Sequence, residues 1–113
     1  MYKLYLDDQR KLFTRYPDAN VSEWVIAKNY VEFVEVIDHR GIPEFVSFDF
    51  DLGVRPNPAS VGKKTGLDCA KYLFDVCMDE GLRLPKWKVH SANKKQSPKL
   101  YAFLVACEKI LNT

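Results

Sequence analysis

The segment Phe45–Gly53, which reads Phe-Val-Ser-Phe-Asp-Phe-Asp-Leu-Gly, constrains the fold more than any other part of the chain. Its first four residues are apolar or small and lie between Pro43 and two acids, a pattern typical of a short strand buried on both faces. Asp49 and Asp51 follow at a spacing that places both side chains on one side of an extended chain. Ligands of open α/β sheets bind beyond the carboxyl ends of the strands, so these acids are predicted to lie at a binding edge.

Short strands alternate with helices along the sequence. Apolar and aromatic residues predict four strands, at Lys3–Leu6, Trp24–Ala27, Phe45–Phe48 and Trp87–His90. Residues 9–20 predict only a short helix or a loop. Three longer helices are predicted to begin at caps formed by Asn29, by Thr65 with Asp68, and by Ser97. Gly41 and Gly81 are predicted to end the first two of them. The alternation predicts a three-layer, flavodoxin- or receiver-like α/β fold with a parallel sheet of strand order 2-1-3-4 and helices on both faces. We interpret residues 1–113 as one such domain.

The composition is that of an ordinary soluble globular protein, with 47% hydrophobic and 28% charged residues. No apolar run approaches the ~20 residues that a membrane span requires, and the first residues predict a strand rather than a signal peptide. Cys69, Cys77 and Cys107 occupy apolar helical positions without the spacing of a metal site, which indicates reduced core residues. We therefore expect a cytoplasmic protein that has no membrane partner.

Acids follow two strands that are neighbours in the predicted order. Asp7 and Asp8 come after the first strand, and Asp49 and Asp51 come after the third. The switch point of the sheet lies between these two strands. Converging carboxylates repel one another unless they bind a cation or a proton, and oxygen ligands suit Mg²⁺ or Mn²⁺. The set predicts a divalent-metal site, and the alternative for each acid taken alone is a turn or helix cap.

The fourth strand ends in polar residues that are predicted to border the same crevice. His90 could act there as a general acid or base, because the pKa of histidine lies near neutrality. Ser91 and Asn93 offer hydrogen bonds to phosphate oxygens. The alternative for His90 is a packed or capping residue.

Basic residues are concentrated in the second half of the chain. Residues 1–54 carry six basic and ten acidic groups, whereas residues 55–99 carry ten basic and four acidic groups. This split indicates an anionic partner or, alternatively, a solvated surface. Lysines around a metal pocket are typical of phosphate-ester binding. The lysines at the predicted binding edge are Lys63, Lys64, Lys94, Lys95 and Lys99.

Four short motifs, in the right order, resemble those of the cyclic-phosphate processing receiver-like domains, a family related to response-regulator receivers. Leu6–Arg10 is similar to the family's Leu-Asp-Asp-x-Arg start, and Ser47–Gly53 is similar to its Ser-x-Asp-His-Asp-Leu-Gly segment. Thr65-Gly66 resembles the opening of its middle helix, and His90–Asn93 resembles its His-Ser-x-Asn element. The resemblance implies a divalent metal held by Asp7, Asp8, Asp49 and Asp51 and a phosphate site lined by His90, Ser91 and Asn93.

The resulting expectation is a metal-dependent phosphoesterase that acts on cyclic or terminal phosphates of nucleotides or RNA ends. Asp49 and His90 are the expected catalytic residues, and substrate binding is assigned to Ser91, Asn93, Lys63, Lys64, Lys94 and Arg10. One alternative is a receiver-type signalling module in which Asp49 accepts a phosphoryl group. Against it, the sequence does not indicate the fifth strand of receivers or the lysine that receivers carry there; Lys94 is the candidate substitute for that lysine. The other is a non-catalytic binder of nucleotides, RNA ends or a protein. Sequence-specific recognition of duplex DNA is not expected, since no helix concentrates basic residues on one face.

The chain departs from the family pattern at Phe50, where the family has histidine between the two acids. Phenylalanine neither binds a metal nor transfers protons. Its side chain is predicted to point away from Asp49 and Asp51, which favours a structural role for the family's histidine. If that histidine is catalytic instead, this protein binds its ligand without turning it over.

Overall fold

Four strands and four α-helices alternate along the chain in the computed structural model, which describes residues 1–52, 64–91 and 93–113. The strands are β1 (Lys3–Leu6), β2 (Trp24–Ala27), β3 (Phe45–Phe48) and β4 (Lys86–Val89). The helices are α1 (Leu12–Arg15), α2 (Tyr30–Arg40), α3 (Gly66–Glu80) and α4 (Ser97–Leu111), and a 3-10 turn covers Val21–Glu23. The fourth strand lies one residue earlier than predicted, so His90 follows it.

The four strands form one parallel sheet in the order β2-β1-β3-β4, which confirms the predicted receiver-like fold class. Leu6 of β1 is paired with Ala27 of β2 and with Phe48 of β3, and Phe48 is paired with Val89 of β4. The carboxyl ends of all four strands therefore lie at the same edge of the sheet.

One face of the sheet is entirely apolar, and we call it the helical face. Each strand contributes two residues to it: Val25 and Ala27, Leu4 and Leu6, Val46 and Phe48, and Trp87 and Val89. These side chains form one core with the buried stripes of the three long helices, represented by Phe33 of α2, Leu73 of α3 and Leu104 of α4. The burial of this apolar surface is the main contribution to the stability of the fold.

The opposite face is mixed in character, and we call it the open face. Its residues form two rows across the sheet, namely Trp24, Lys3, Phe45 and Lys86, and then Ile26, Tyr5, Ser47 and Lys88. The Tyr16 ring, directly after α1, packs against the rings of Tyr5, Trp24 and Phe45. Among the described residues, the second helical layer is therefore only the four-residue helix α1 and its flanks.

Local capping determines where the long helices begin and end. Asn29 accepts a hydrogen bond from the amide of Glu32, and Thr65 forms a capping box with Asp68, as predicted. Ser97 does not cap α4: it is the first helical residue, after Gln96. The reason is that the Asn93 side chain accepts from the amides of residues 95 and 96 and supports the preceding turn.

The three cysteines are buried and free, as expected for core residues. Within the described ranges, no helix is both long enough and apolar enough to span a membrane.

Candidate metal centre

Three carboxylates come together at the carboxyl ends of β1 and β3. Asp7 and Asp49 extend the pairing of the strands, since the Asp7 amide donates to Ala27 (3.1 Å) and the Asp49 amide donates to Leu6 (3.0 Å). One carboxylate oxygen from each of Asp7, Asp8 and Asp49 lies within 4.8 Å of the others. The group occupies the switch point of the sheet, where the acids were predicted to converge.

Asp51 lies outside this group of carboxylates. Its side chain is exposed and accepts a 3.1 Å hydrogen bond from Asn93 Nδ2. The prediction that Asp49 and Asp51 share one side assumed an extended chain, but β3 ends at Phe48, and the Phe50 carbonyl accepts from the Gly66 amide at 2.7 Å. Phe50 itself is buried in the hydrophobic core, in agreement with its predicted orientation away from the acids.

Asp7 is the most firmly held of the three acids. Its Oδ1 accepts from the amides of Gln9 and Arg10, both at 2.9 Å, and its Oδ2 accepts from His90 Nε2 (3.0 Å) and the Tyr5 hydroxyl (3.3 Å). Burial by itself would raise the pKa of Asp7, but the donated hydrogen bonds hold it below its ordinary value. Asp7 is therefore ionised at neutral pH, with its orientation fixed by four donors.

His90 lies beneath the carboxylates rather than beside an open crevice. Its ring stacks on Tyr5 at a centroid distance of 5.0 Å and is only 8% exposed. Nε2 faces Asp7, and Nδ1 lies 2.6 Å from Ser47 Oγ. An ionised carboxylate only accepts hydrogen bonds, so Nε2 carries the proton and Nδ1 accepts from Ser47. Burial lowers the pKa of His90 despite the opposing effect of Asp7, so the ring is neutral at physiological pH.

The hydrogen bonds continue from His90 to the surface. The Tyr16 hydroxyl donates to Ser47 Oγ at 2.9 Å, so that Tyr16, Ser47, His90 and Asp7 form a chain in which each member donates to the next. Sequence reasoning missed Tyr5, Tyr16 and Ser47 as site residues. The available signal was Ser47, the polar residue in an otherwise apolar strand, which is now seen to be fully buried.

The ionised form of Asp49, the third acid, is disfavoured by its surroundings. Burial and the neighbouring charge of Asp7 raise its pKa to about 6, against the lowering effect of a hydrogen bond from Ser91. Ser91 in turn accepts from the amide of Asn93 at 3.1 Å. The predicted phosphate-binding residues Ser91 and Asn93 thus contact Asp49 and Asp51, respectively. Unrelieved repulsion among oxygen ligands is what a bound divalent cation would remove.

The predicted basic residues have different positions relative to the carboxylates. Lys94 is exposed in the turn before α4, and Lys64 Nζ lies 5.2 Å from the centre of the Tyr30 ring. Arg10 is exposed, and its amide donates to Asp7. Lys95 and Lys99 are exposed near the start of α4, and Lys63 lies outside the described residues.

We expect Ser47→Ala to cost about 2 kcal/mol of unfolding free energy. The substitution leaves His90 Nδ1 and the Tyr16 hydroxyl without their partner in a buried site, and that penalty exceeds the loss of an exposed hydrogen bond. Urea unfolding measures the change, and NMR of the ring nitrogens reports whether His90 keeps its Nε2 proton. Tyr16→Phe is the matched control, because it removes only the outermost donor and should cost about 1 kcal/mol or less. Equal losses in the two variants would contradict the described chain of hydrogen bonds.

Comparison with known proteins identifies the family of this fold and site. The sequence pattern of the cyclic-phosphate processing receiver domain matches residues 2–106. No curated protein and no solved structure matches the chain significantly. The match covers all four strands and the three grouped carboxylates. The chain therefore belongs to the cyclic-phosphate processing receiver domain family.

Proposed function

We propose that this domain is a divalent-metal-dependent phosphoesterase acting on cyclic or terminal phosphates of nucleotides or RNA ends. The observation that supports the proposal is the group formed by Asp7, Asp8 and Asp49 at the switch point of the sheet. An oxygen-only ligand set of this kind fits Mg²⁺ or Mn²⁺. Such an ion would supply Lewis-acid stabilisation of a phosphoryl oxygen.

The three acids have different roles in this proposal. Asp7 already accepts four hydrogen bonds, so its oxygens have little remaining capacity for a direct metal bond. Among the described residues, the hydrogen bond to the Asp49 carboxylate comes from the amide of Phe50 at 2.8 Å, so Asp49 keeps more lone pairs for a cation than Asp7 does. We therefore assign direct binding to Asp49 together with Asp8, because the Asp8 carboxylate belongs to the same group of oxygens, and Asp7 contributes its fixed negative charge.

His90 acts in the proposal as a positioning residue. Both ring nitrogens are engaged, one by Asp7 and one by Ser47, and the ring is buried. In this arrangement His90 is suited to holding Asp7 in place. It is less suited to protonating a leaving group, the role that the sequence suggested. Substrate phosphate would be bound by Ser91, near Asp49, and by the basic residues that the sequence assigns to binding, namely Arg10, Lys64 and Lys94.

Turnover of 2′,3′-cyclic nucleotides in the presence of Mn²⁺ tests the proposal. We expect hydrolysis by the wild-type protein and a loss of at least a hundredfold in Asp49→Asn, because the variant lacks a metal-binding carboxylate. Asp79→Asn removes the same charge from an exposed position of α3 and should keep the wild-type rate. Equal rates in wild type and Asp49→Asn would contradict the proposal. Binding of nucleotide without turnover would identify the non-catalytic module that Phe50 also allows.

A second candidate function is that of a phosphoacceptor receiver. The observation in its favour is the position of Ser91, a hydroxyl-bearing residue that lowers the pKa of Asp49 and so lies near the carboxylate that would be phosphorylated. Incubation with acetyl phosphate and Mg²⁺ would transfer a phosphoryl group to Asp49 and release acetate. A mass increase of one phosphate supports this function, and an unchanged mass excludes it.

A further inference from the structure

The open face of the sheet presents two exposed cations on its outer strand. Lys86 and Lys88 alternate with the core residues of β4 and are both exposed. Neither forms an ion pair with any residue that the structure describes. Successive same-side residues of a strand are about 7 Å apart, so the two ammonium groups form a linear basic edge.

Charge is distributed unequally between the two sides of the sheet. Helices α2 and α3, two of the three helices on the helical face, carry seven acidic side chains, Glu32, Glu35, Asp38, Asp68, Asp75, Asp79 and Glu80, against Arg40 and Lys71. The cations of the open face are Lys3, Lys86 and Lys88, and among residues 1–52, 64–91 and 93–113 only Lys3 has an ion-pair partner, Glu23 at 3.7 Å. Lys11 and Arg15, at the ends of α1, add two exposed cations beside this face. An anionic partner is therefore attracted to the open face and repelled by the surface of α2 and α3, whereas α4 carries Lys99 and Lys109 against Glu108 and does not repel it.

Aromatic and aliphatic groups lie between these cations. The rings of Tyr16, Trp24 and Phe45 pack together on the open face and are partly exposed. Phe13 of α1 is 51% exposed and Ile26 of β2 is 47% exposed. Cations interleaved with rings are the surface on which single-stranded nucleic acids bind, because the backbone contacts the cations and the bases contact the rings.

The open face leads directly to the carboxylates. The same alternation that places Lys86 and Lys88 on this face continues to His90, and the alternation of β1 and β3 continues to Asp7 and Asp49. Arg15 connects the two regions, since its Nη2 donates to the His90 carbonyl at 2.9 Å. A chain bound along β4 would therefore have its end at the metal centre.

We propose that the open face binds the sugar–phosphate backbone of a single-stranded polynucleotide, with Lys86 and Lys88 as phosphate contacts and the terminal phosphate at the carboxylates. This inference rests on the proposed function and narrows its substrate from free nucleotides to the ends of polynucleotide strands. It makes the domain a single-strand binder whose affinity depends on the open face rather than on the metal.

Fluorescence anisotropy with a labelled single-stranded RNA of about eight nucleotides ending in a phosphate tests this assignment. The titration is done in EDTA, so that the result is independent of turnover and of metal binding. At about 50 mM salt we expect the double variant Lys86→Ser/Lys88→Ser to bind at least tenfold more weakly than wild type. The slope of log affinity against log salt should fall in magnitude by about 1.4, because two phosphate contacts of about 0.7 each are lost on a single strand.

Lys71→Ser/Lys109→Ser is the matched control, since it removes the same charge from exposed positions of α3 and α4. It should change the affinity by about twofold or less. Equal weakening in both double variants, or no RNA binding by wild type, would overturn the proposal. A glutamate octapeptide that binds with equal affinity and the same dependence on Lys86 and Lys88 would also overturn it, by assigning the face to acidic peptides. Failure of the cyclic-nucleotide assay with intact RNA binding would remove only the catalytic function.

Discussion

Gly66→Ala is expected to destabilise the protein by about 3 kcal/mol. A Cβ atom at this position would lie 1.9 Å from the Asp49 carbonyl oxygen and 3.1 Å from Cα of Phe50. These are backbone atoms, so no side-chain rotation can relieve the overlap. The first turn of α3 and the end of β3 would have to separate, which would also displace Asp49 from the other two acids. Gly66 thus explains why this helix can begin directly beside Asp49 and the grouped carboxylates.

Urea unfolding of the variant measures this effect, and Gly81→Ala provides the control. Gly81 has a φ of +67° but nothing within 4 Å of an added Cβ, so alanine there should cost only about 1 kcal/mol of backbone strain. An unfolding free energy for Gly66→Ala equal to or higher than that for Gly81→Ala would contradict the described close packing of α3 against the Asp49 backbone.

Asp49→Asn is expected to stabilise the metal-free protein at neutral pH while removing its response to metal. The folded-state pKa of Asp49 is raised from 3.8 to about 6, so ionisation of this group opposes folding. The full shift corresponds to roughly 3 kcal/mol, and solvent screening at this half-exposed position reduces it to about 1 kcal/mol. Asparagine avoids this cost because it carries no charge.

The pH dependence of the stability difference between Asp49→Asn and wild type follows from the same raised pKa of Asp49. A raised folded-state pKa means that the folded protein binds more protons than the unfolded chain between about pH 4 and 6. The advantage of the variant over wild type is therefore complete above pH 6 and disappears as the pH falls toward 4. Thermal unfolding in EDTA should show a melting temperature about 4 °C higher for the variant at neutral pH. A variant that is less stable than wild type there would contradict the described electrostatics.

The strand order and the convergence of the acids could be predicted because they follow from local patterns. Alternating strands and helices define the order of the sheet, and the order places the residue after β1 beside the residue after β3. That reasoning located Asp7, Asp8 and Asp49 together. It was wrong in grouping Asp51 with them, because a period of two applies only while the chain is extended, and β3 ends at Phe48.

The hydrogen-bonded partners of the acids could not be predicted in the same way. Ser47, His90 and Asp7 belong to three different strands or strand ends, and their contacts depend on the register between strands, which no single segment specifies. The exposed lysines of β4 were visible in the sequence Lys86–Val89. The sequence does not show that these lysines lie on a face without a long helix among the described residues, because that depends on α2, α3 and α4 all packing on the opposite face.

Calorimetric titration with Mn²⁺ near neutral pH tests most directly whether the three carboxylates form a cation site. The metal-free wild-type protein should bind one ion per chain, and thermal unfolding in Mn²⁺ at a hundred times the dissociation constant should show about 3 kcal/mol of added stability. Asp49→Asn should show neither effect, whereas Asp51→Asn should keep both, since Asp51 lies outside the group. Absence of binding at millimolar Mn²⁺, or equal binding by wild type and Asp49→Asn, would contradict the metal centre.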